Sequence, residues 1–330
     1  MTATRPQVGV IGAGYWGRNL ARNCAQLGVL GAVCDVDEAA LHAMRSAYPG
    51  VLVTANVSDL LRSALDAVVI ASPAALHAEL ALRAIAAGKH AFIEKPLALS
   101  VEDGRRVADA ARRHGVQAFV GHLLLYHPAV KRLRALLSEG AIGAVQHFRS
   151  RRLSLGKVRQ QEDVWWSFAP HDVALSLAVF GCEPIAASAA RCSFSASGLA
   201  DTVYADLEFP AARSAHIEVS WLEPVKTQQI SIFGTEGVLT FDDAKSGATL
   251  RLTRCGIKRT APEVAQTWQE ATETVPFDGA EPLRLELEAF LQAVVSGRTA
   301  ETDAEEGVAV LRALSLVDAA LRRAPAEMPA

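Results

Sequence analysis

Val8-Gly9-Val10-Ile11-Gly12-Ala13-Gly14-Tyr15-Trp16-Gly17 is the stretch whose reading decides the fold: a short apolar run, a GxGxxG turn, then a helical pattern. Alone, three spaced glycines say little. Between a strand and a helix they are the mark of a dinucleotide-binding turn, because each glycine has a separate task. Gly12 permits the tight turn, Gly14 lets a pyrophosphate approach the backbone, and Gly17 lets the helix pack on the strand. Ala13, Tyr15 and Trp16 complete the loop that would line the cofactor, and the helix N-terminus offers N–H groups and a positive dipole end to phosphate. Asp35 follows Gly17 by 18 residues at the end of the second apolar run. A carboxylate there accepts from both ribose hydroxyls and repels a 2′-phosphate, so NAD is expected and NADP disfavoured.

Outward from this turn, short apolar runs alternate with helical stretches. The runs are Val8–Ile11, Leu30–Cys34, Val51–Thr54, Ala67–Ile70, His90–Ile93 and Ala118–Val120. They are apolar throughout, as strands covered on both faces must be, which predicts a parallel doubly wound sheet. After Gly121 the period changes. In Val203–Phe209 the residues Val203, Ala205, Leu207 and Phe209 alternate with Tyr204, Asp206 and Glu208. In His216–Trp221 the residues Ile217, Val219 and Trp221 oppose His216, Glu218 and Ser220. One dry and one wet face predict a largely antiparallel open sheet with helices on the dry side. The expected architecture is therefore an α/β Rossmann domain over residues 1–122 and an α+β substrate and oligomerisation domain over residues 123–330. Two amphipathic helices, near Leu283–Val295 and Ala304–Leu321, are expected to close the chain.

Composition bounds the function classes. The 330 residues carry 33 Lys+Arg against 36 Asp+Glu, a formal net charge of −3, and half are hydrophobic. That suits buried cores and gives no basic block for nucleic acid or an anionic membrane. The apolar region Ala67–Ala87 is broken by Ser72-Pro73, His77, Glu79 and Arg83 and cannot span a bilayer. With no export signal read at the N-terminus, a cytoplasmic location is expected. The five cysteines, Cys24, Cys34, Cys182, Cys192 and Cys255, lack CxxC spacing, so no metal site is expected.

Two further segments lie at carboxyl ends of strands, where open α/β sheets bind ligands. Ser72-Pro73 follows the fourth run, with His77 one turn into the helix behind it. Glu94-Lys95-Pro96 follows the fifth. Lys95 reads as an ammonium donor near a nicotinamide or as a surface lysine, and the bond before Pro96 is a candidate for the cis form. In the second half, Pro170 suits a first helical position and would put His171 in the first turn of a helix. The positive dipole end there favours the neutral imidazole that a base requires.

Taken together, GAGYWG, Asp35, SPAALH, EKP and the segment Trp165–Asp172 resemble the Gfo/Idh/MocA oxidoreductases over the whole chain. The resemblance implies a two-domain NAD(P)-dependent enzyme acting on sugars, cyclitols or nucleotide sugars. It implies that Lys95 touches both nicotinamide and the reacting hydroxyl, that His77 borders the cofactor ribose, and that His171 takes the hydroxyl proton. Lys95 would then steady the developing alkoxide. Two positions depart from the family pattern: Ser167 stands where many relatives have Asp or Asn, and Ala174 where many have an acid. Ser167 remains able to bond a substrate hydroxyl or cap a helix, and the adjacent Asp172 is a candidate replacement acid.

The remaining candidates are His122, Tyr126 and His127, expected at the rim of a polyol pocket, with His122 an alternative proton carrier. Trp165 and Trp166 either line that pocket or pack the loop on the sheet. Arg149, Arg151 and Arg152, with Lys157 and Arg159, read as a substrate-anion site, an exposed basic loop or a subunit contact. Trp221 reads as structural or interfacial. The leading expectation is hydride transfer between NAD and a secondary alcohol or ketone of a sugar or nucleotide sugar. A free-sugar or inositol dehydrogenase is the alternative substrate class, and a non-catalytic NAD-binding regulator the alternative of another kind. Similarity to proteins whose sheets pair across subunits implies a homodimer or homotetramer through the second-domain sheet.

Overall fold

The computed structural model describes residues 5–156, 159, 162–194, 198–244, 247–261 and 264–323. In chain order the first elements are β1 (Val8–Ile11), α1 (Tyr15–Gln26), β2 (Leu30–Cys34), α2 (Glu38–Ala47), β3 (Leu52–Thr54) and α3 (Val57–Arg62). Then come β4 (Ala67–Ile70), a 3-10 turn (Ala74–Leu76), α4 (His77–Ala86), β5 (His90–Glu94), α5 (Val101–His114) and β6 (Ala118–Gly121). The strands pair in the order β3-β2-β1-β4-β5-β6, each pairing parallel. Strands β1 and β4 are buried along their whole length, so the continuous apolar reading of these runs is met. Helix boundaries follow local chemistry. Asp37, Asn56 and Ser100 each accept a backbone N–H at a helix start, and Gly115 ends α5 in the left-handed region.

The remaining elements are α6 (Leu123–Tyr126), α7 (Pro128–Ser138), β7 (Val145–Leu155), α8 (Val164–Phe168) and α9 (Pro170–Phe180). Next are β8 (Ala186–Cys192), β9 (Thr202–Phe209), β10 (Arg213–Ser220), β11 (Leu222–Gly234) and β12 (Gly237–Asp242). The chain ends with β13 (Thr249–Ala261), β14 (Val264–Gln269), β15 (Glu273–Thr274), α10 (Pro282–Ser296) and α11 (Ala304–Arg323). The second sheet runs β14-β13-β12-β11-β7-β10-β9-β8. Its β10–β7 pairing is parallel, and the others along that order are antiparallel. Val203, Ala205, Leu207 and Phe209 are buried, while Tyr204, Asp206 and Glu208 are exposed, as the period of two requires. Ser220 departs from that pattern. It is buried and shares a 2.8 Å hydrogen bond with Thr202, because β10 stops there and Trp221 turns into the core.

The chain divides into two compact units, residues 1–123 with 281–311 and residues 124–280 with 312–330. A single division at residue 122 catches only the first crossing, since the C-terminal segment returns to the first unit. The return has a physical cause. β6 is the edge of the parallel sheet, and Thr302 O accepts the Val120 N–H at 2.7 Å beside a bridge between Phe119 and Asp303. Phe290 of α10 packs on Phe92 and Phe119, covering the same edge. Among the described residues no helix is long and apolar enough to cross a membrane.

Candidate active site

In the first unit the glycine turn performs its three tasks separately. Gly12 has φ +98°, and a Cβ on it would lie 2.7 Å from Ala71 O. A Cβ on Gly17 would lie 1.8 Å from Gly12 O, so only glycine lets α1 pack this closely. A Cβ on exposed Gly14 would meet nothing within 4 Å, which leaves the helix N-terminus open to a ligand. Gly14 is the N-cap of α1 and adds no side-chain cap to it. Asp35 closes the turn from β2. Its carboxylate accepts from Ala13 N at 2.5 Å and from Asp37 N at 2.8 Å. Tyr15 is exposed; Trp16 is half-buried and its indole N–H donates to Glu94 Oε1 at 2.5 Å. The donor set, open helix end and ribose-side carboxylate fit a dinucleotide.

The loops after β4 and β5 are tied together by His77. Its Nδ1 lies 2.7 Å from Pro96 O and its Nε2 2.9 Å from Ser72 O. With 2% exposure the ring is turned into the protein. That location makes it a brace between the Ser72-Pro73 and Lys95-Pro96 segments, and the Lys95–Pro96 bond is cis. Glu94 is also turned inward. Its Oε2 accepts from Lys95 N at 3.3 Å, and burial raises its carboxyl to about 7 against the opposing effects of Trp16 and Lys95. Lys95 itself is half-buried at the end of β5.

His122 does not lie at a rim. It is 1% exposed, 3.4 Å from a Glu306 carboxylate oxygen, and burial together with Lys95 lowers its imidazole to about 3. Burial opposes protonation of the ring, and the expected place at a pocket rim is corrected to one inside the first unit. Burial raises its partner Glu306 to about 8. Burial thus favours the neutral form of each partner. Glu306 is half-buried on α11, with both carboxyl oxygens out of contact with solvent.

In the second unit, α9 begins at Pro170 and carries half-buried His171 in its first turn, as expected. Asp172 points elsewhere. It is wholly buried and accepts from Ser150 Oγ at 2.7 Å, Arg152 Nε at 2.7 Å and Arg152 Nη2 at 3.1 Å. It therefore bolts α9 to β7 and does not replace the acid that relatives carry. The same geometry dissolves the arginine group. Arg152 belongs to Asp172, Arg151 pairs with Glu218 at 2.7 Å, and Arg149 stacks over Phe233 at 5.2 Å. Arg159 pairs with Glu162 at 3.2 Å, and Lys157 lies outside the described residues.

Ser167 lies inside α8, buried; Asp163 caps that helix and Ala169 stands before α9, so Ser167 caps neither. Trp165 is fully buried with its N–H on Leu314 O at 3.2 Å, while half-buried Trp166 donates to Asp318 at 2.8 Å. Tyr126 is 4% exposed beneath Lys131, 5.4 Å from its ring centre. His127 accepts from Ala129 N, caps α7 and packs on Phe241. Trp221 is structural, donating to buried Asp201 at 2.6 Å.

Sequence reading missed two acids on the C-terminal helices: Glu286, wholly buried, and Glu306, half-buried with its carboxyl oxygens inside. A signal for the first was present: Glu286 occupies the helical stripe of Leu283, Leu287 and Phe290, where a charge is out of place.

Comparison with known proteins gives two adjacent family matches. Residues 7–122 match the oxidoreductase family with an NAD-binding Rossmann fold, and residues 130–240 match the GFO/IDH/MocA C-terminal domain. The chain is 28% identical over 313 residues to UDP-N-acetylglucosamine 3-dehydrogenase of Acidithiobacillus ferrooxidans, covering 93% of this chain and 94% of that protein. A solved structure of that dehydrogenase superposes with a TM-score of 0.84 at 27% identity, covering 96% of this chain and 98% of the other. The chain is also 30% identical over 277 residues to dTDP-3,4-didehydro-2,6-dideoxy-alpha-D-glucose 3-reductase of Actinomadura kijaniata, covering 79% and 77% of the two chains.

Proposed function

The chain belongs to the Gfo/Idh/MocA family of oxidoreductases, and from that membership we propose that it oxidises or reduces a nucleotide sugar at a secondary carbon, with NAD as cofactor. The observation that carries the reading is the intact dinucleotide turn of the first unit with Lys95 at the end of β5; the second unit supports it with His171 in the first turn of α9. Similarity over nearly the full length to a UDP-sugar dehydrogenase, and over most of it to a dTDP-sugar reductase, supports the substrate class.

The backbone at Gly12, Ala13 and Gly14 and the N-terminus of α1 hold the pyrophosphate, and Asp35 holds the ribose hydroxyls. NAD, when bound, accepts or supplies the hydride. Lys95 donates to the reacting oxygen and stabilises negative charge developing on it. His171 takes the hydroxyl proton in oxidation and returns it in reduction. His77 keeps the two loops that flank this lysine in register through Ser72 O and Pro96 O. Trp166, half-buried on α8, presents aromatic surface to the sugar. The sheet face carrying exposed Tyr204 and Glu208 and half-buried His216 and Glu218 packs against a second copy of the chain.

The test is a panel of UDP-, dTDP- and free sugars with inositol, scored by nicotinamide absorbance in wild type and Lys95→Ala. Turnover with a nucleotide sugar that Lys95→Ala lowers by about 100-fold or more is expected, as for removal of a charge-stabilising donor. Identical traces for wild type and variant with every compound would leave a cofactor-binding protein without catalysis. Light scattering at a single chain's mass would refute the self-association.

A further inference from the structure

Trp16 has its main chain in the cofactor turn and its side chain on the segment that carries Lys95. It is the second residue of α1, so its N–H precedes the first intrahelical bond, Arg18 N to Gly14 O at 3.0 Å, and belongs to the donors that a phosphate can take. The packing behind it is tight. A Cβ on Gly17 would lie 1.8 Å from Gly12 O, so the first turn of α1 and the glycine loop move as one piece. The indole N–H of Trp16 donates to Glu94 Oε1 at 2.5 Å. Glu94 has little freedom of its own. It is 8% exposed, its backbone faces Gly121 in the β5–β6 ladder, and a Cβ on Gly121 would come within 3.2 Å of its carboxyl carbon. The other oxygen, Oε2, accepts from Lys95 N at 3.3 Å. From there the path returns to the glycine turn. Pro96 O lies 2.7 Å from His77 Nδ1 and Ser72 O 2.9 Å from His77 Nε2, and a Cβ on Gly12 would come within 2.9 Å of Ser72 N.

We propose that Trp16 is a positioning residue that couples occupancy of the phosphate site to the placement of Lys95, through the hydrogen bond from its indole to Glu94. A pyrophosphate that takes the N–H groups of the turn fixes the first turn of α1. The indole then fixes the Glu94 carboxyl, and the carboxyl fixes the residue that follows it. Tryptophan suits the task because it offers a donor at the edge of a large rigid ring and no acceptor. Phenylalanine would fill much of the same space with no donor, leaving a buried carboxyl oxygen short of its partner and free to turn away. The coupling is bounded by the bond that transmits it, and a hydrogen bond to a carboxyl group is worth about tenfold in an equilibrium. It is a property of the first unit; its value for turnover rests on the role proposed for Lys95.

The test uses the full chain and ADP, which carries the adenosine and both phosphates of the cofactor and lacks the second ribose and the nicotinamide. Lysines are acylated with limiting acetic anhydride, with and without saturating ADP, and counted residue by residue by mass spectrometry. Exposed Lys226 in the second unit is the internal standard. In wild type, ADP is expected to slow acylation of Lys95 relative to Lys226 by about threefold to tenfold, because the amine is held in place. In Trp16→Phe at equal ADP occupancy the effect should shrink to about 1.5-fold or less. The charge of ADP acts alike in both proteins, so the difference between them reads the bond; loss of stability alone would not make it depend on ADP. Glu94→Leu breaks the same bond from the other side and should behave as Trp16→Phe does. An ADP effect on Lys95 that survives either variant undiminished overturns the proposal. Wild type alone can also overturn it, by labelling Lys95 equally with and without bound ADP, whether or not the variants fold. No substrate enters the measurement. A silent activity panel therefore leaves the coupling measurable, whereas ADP that does not bind in calorimetry refutes the cofactor site and the coupling with it.

Discussion

Asp172→Asn tests whether the acid beside His171 is a structural bolt. Asp172 is wholly buried, and the Arg152 side chain is 16% exposed, so removing the carboxylate strands a mostly desolvated guanidinium. Breaking a buried pair from one side costs about 3–5 kcal/mol. The asparagine oxygen still accepts one hydrogen bond and Arg152 keeps some water, which puts the expected loss near the lower end, about 3 kcal/mol. Ser150→Ala removes one bond to a charged group and leaves the ion pair, so about 1.5–3 kcal/mol is the ceiling and the lower end is expected. Arg152→Met/Asp172→Leu removes both charges together and should lose less than Asp172→Asn. Urea unfolding read by tryptophan fluorescence suits the question, because Trp165, Trp166, Trp221 and Trp268 all belong to the unit that contains α9. A loss below about 1 kcal/mol for Asp172→Asn, or a double variant less stable than the single, would refute the reasoning.

Gly14→Ala and Gly17→Ala should separate binding from folding. The first has open space and should keep its melting temperature while NADH affinity falls; the second must move Gly12 O and should lose about 1–3 kcal/mol in denaturant titration. Asp35→Ser should narrow a preference for NAD over NADP that fluorescence titration is expected to put at about tenfold or more in wild type, that is at least about 1.4 kcal/mol. Glu306, raised to about 8 by burial, contributes stability that is complete below its unfolded value of 4.5 and drains away as pH rises toward 8. Glu306→Gln should accordingly flatten the fall in melting temperature over that window; an unchanged slope would count against a buried neutral acid.

Much of the cofactor side was legible because each signal is local. Strand, turn and helix around Gly12–Gly17 are adjacent in the chain, and Asp35 lies one βα unit on, so spacing alone relates them. The wet and dry faces of β9 were legible for a similar reason, since side chains on a strand alternate. The reading of charged residues was weaker. Arg149, Arg151 and Arg152 look alike in sequence, yet alternation sends Arg152 to the helix side and Arg149 and Arg151 to the other, where they meet Phe233 and Glu218. Asp172 looked like a neighbour able to serve His171, but consecutive helical residues diverge by about a quarter of a turn, and the carboxylate faces β7.

The sequence by itself determined the parallel sheet, the dinucleotide turn, the helix that carries His171 in its first turn and the antiparallel character of the second sheet. These depend on periodicity, caps and glycine conformations within short windows. Only the tertiary structure decided that the C-terminal segment rejoins the first sheet at β6, that His77 braces two loops, that His122 is buried beside Glu306, and that Asp172 is bolted to Arg152. Each of these is a partnership between groups far apart in the chain. Burial and the company of other charges, which no local pattern records, determine what such groups do.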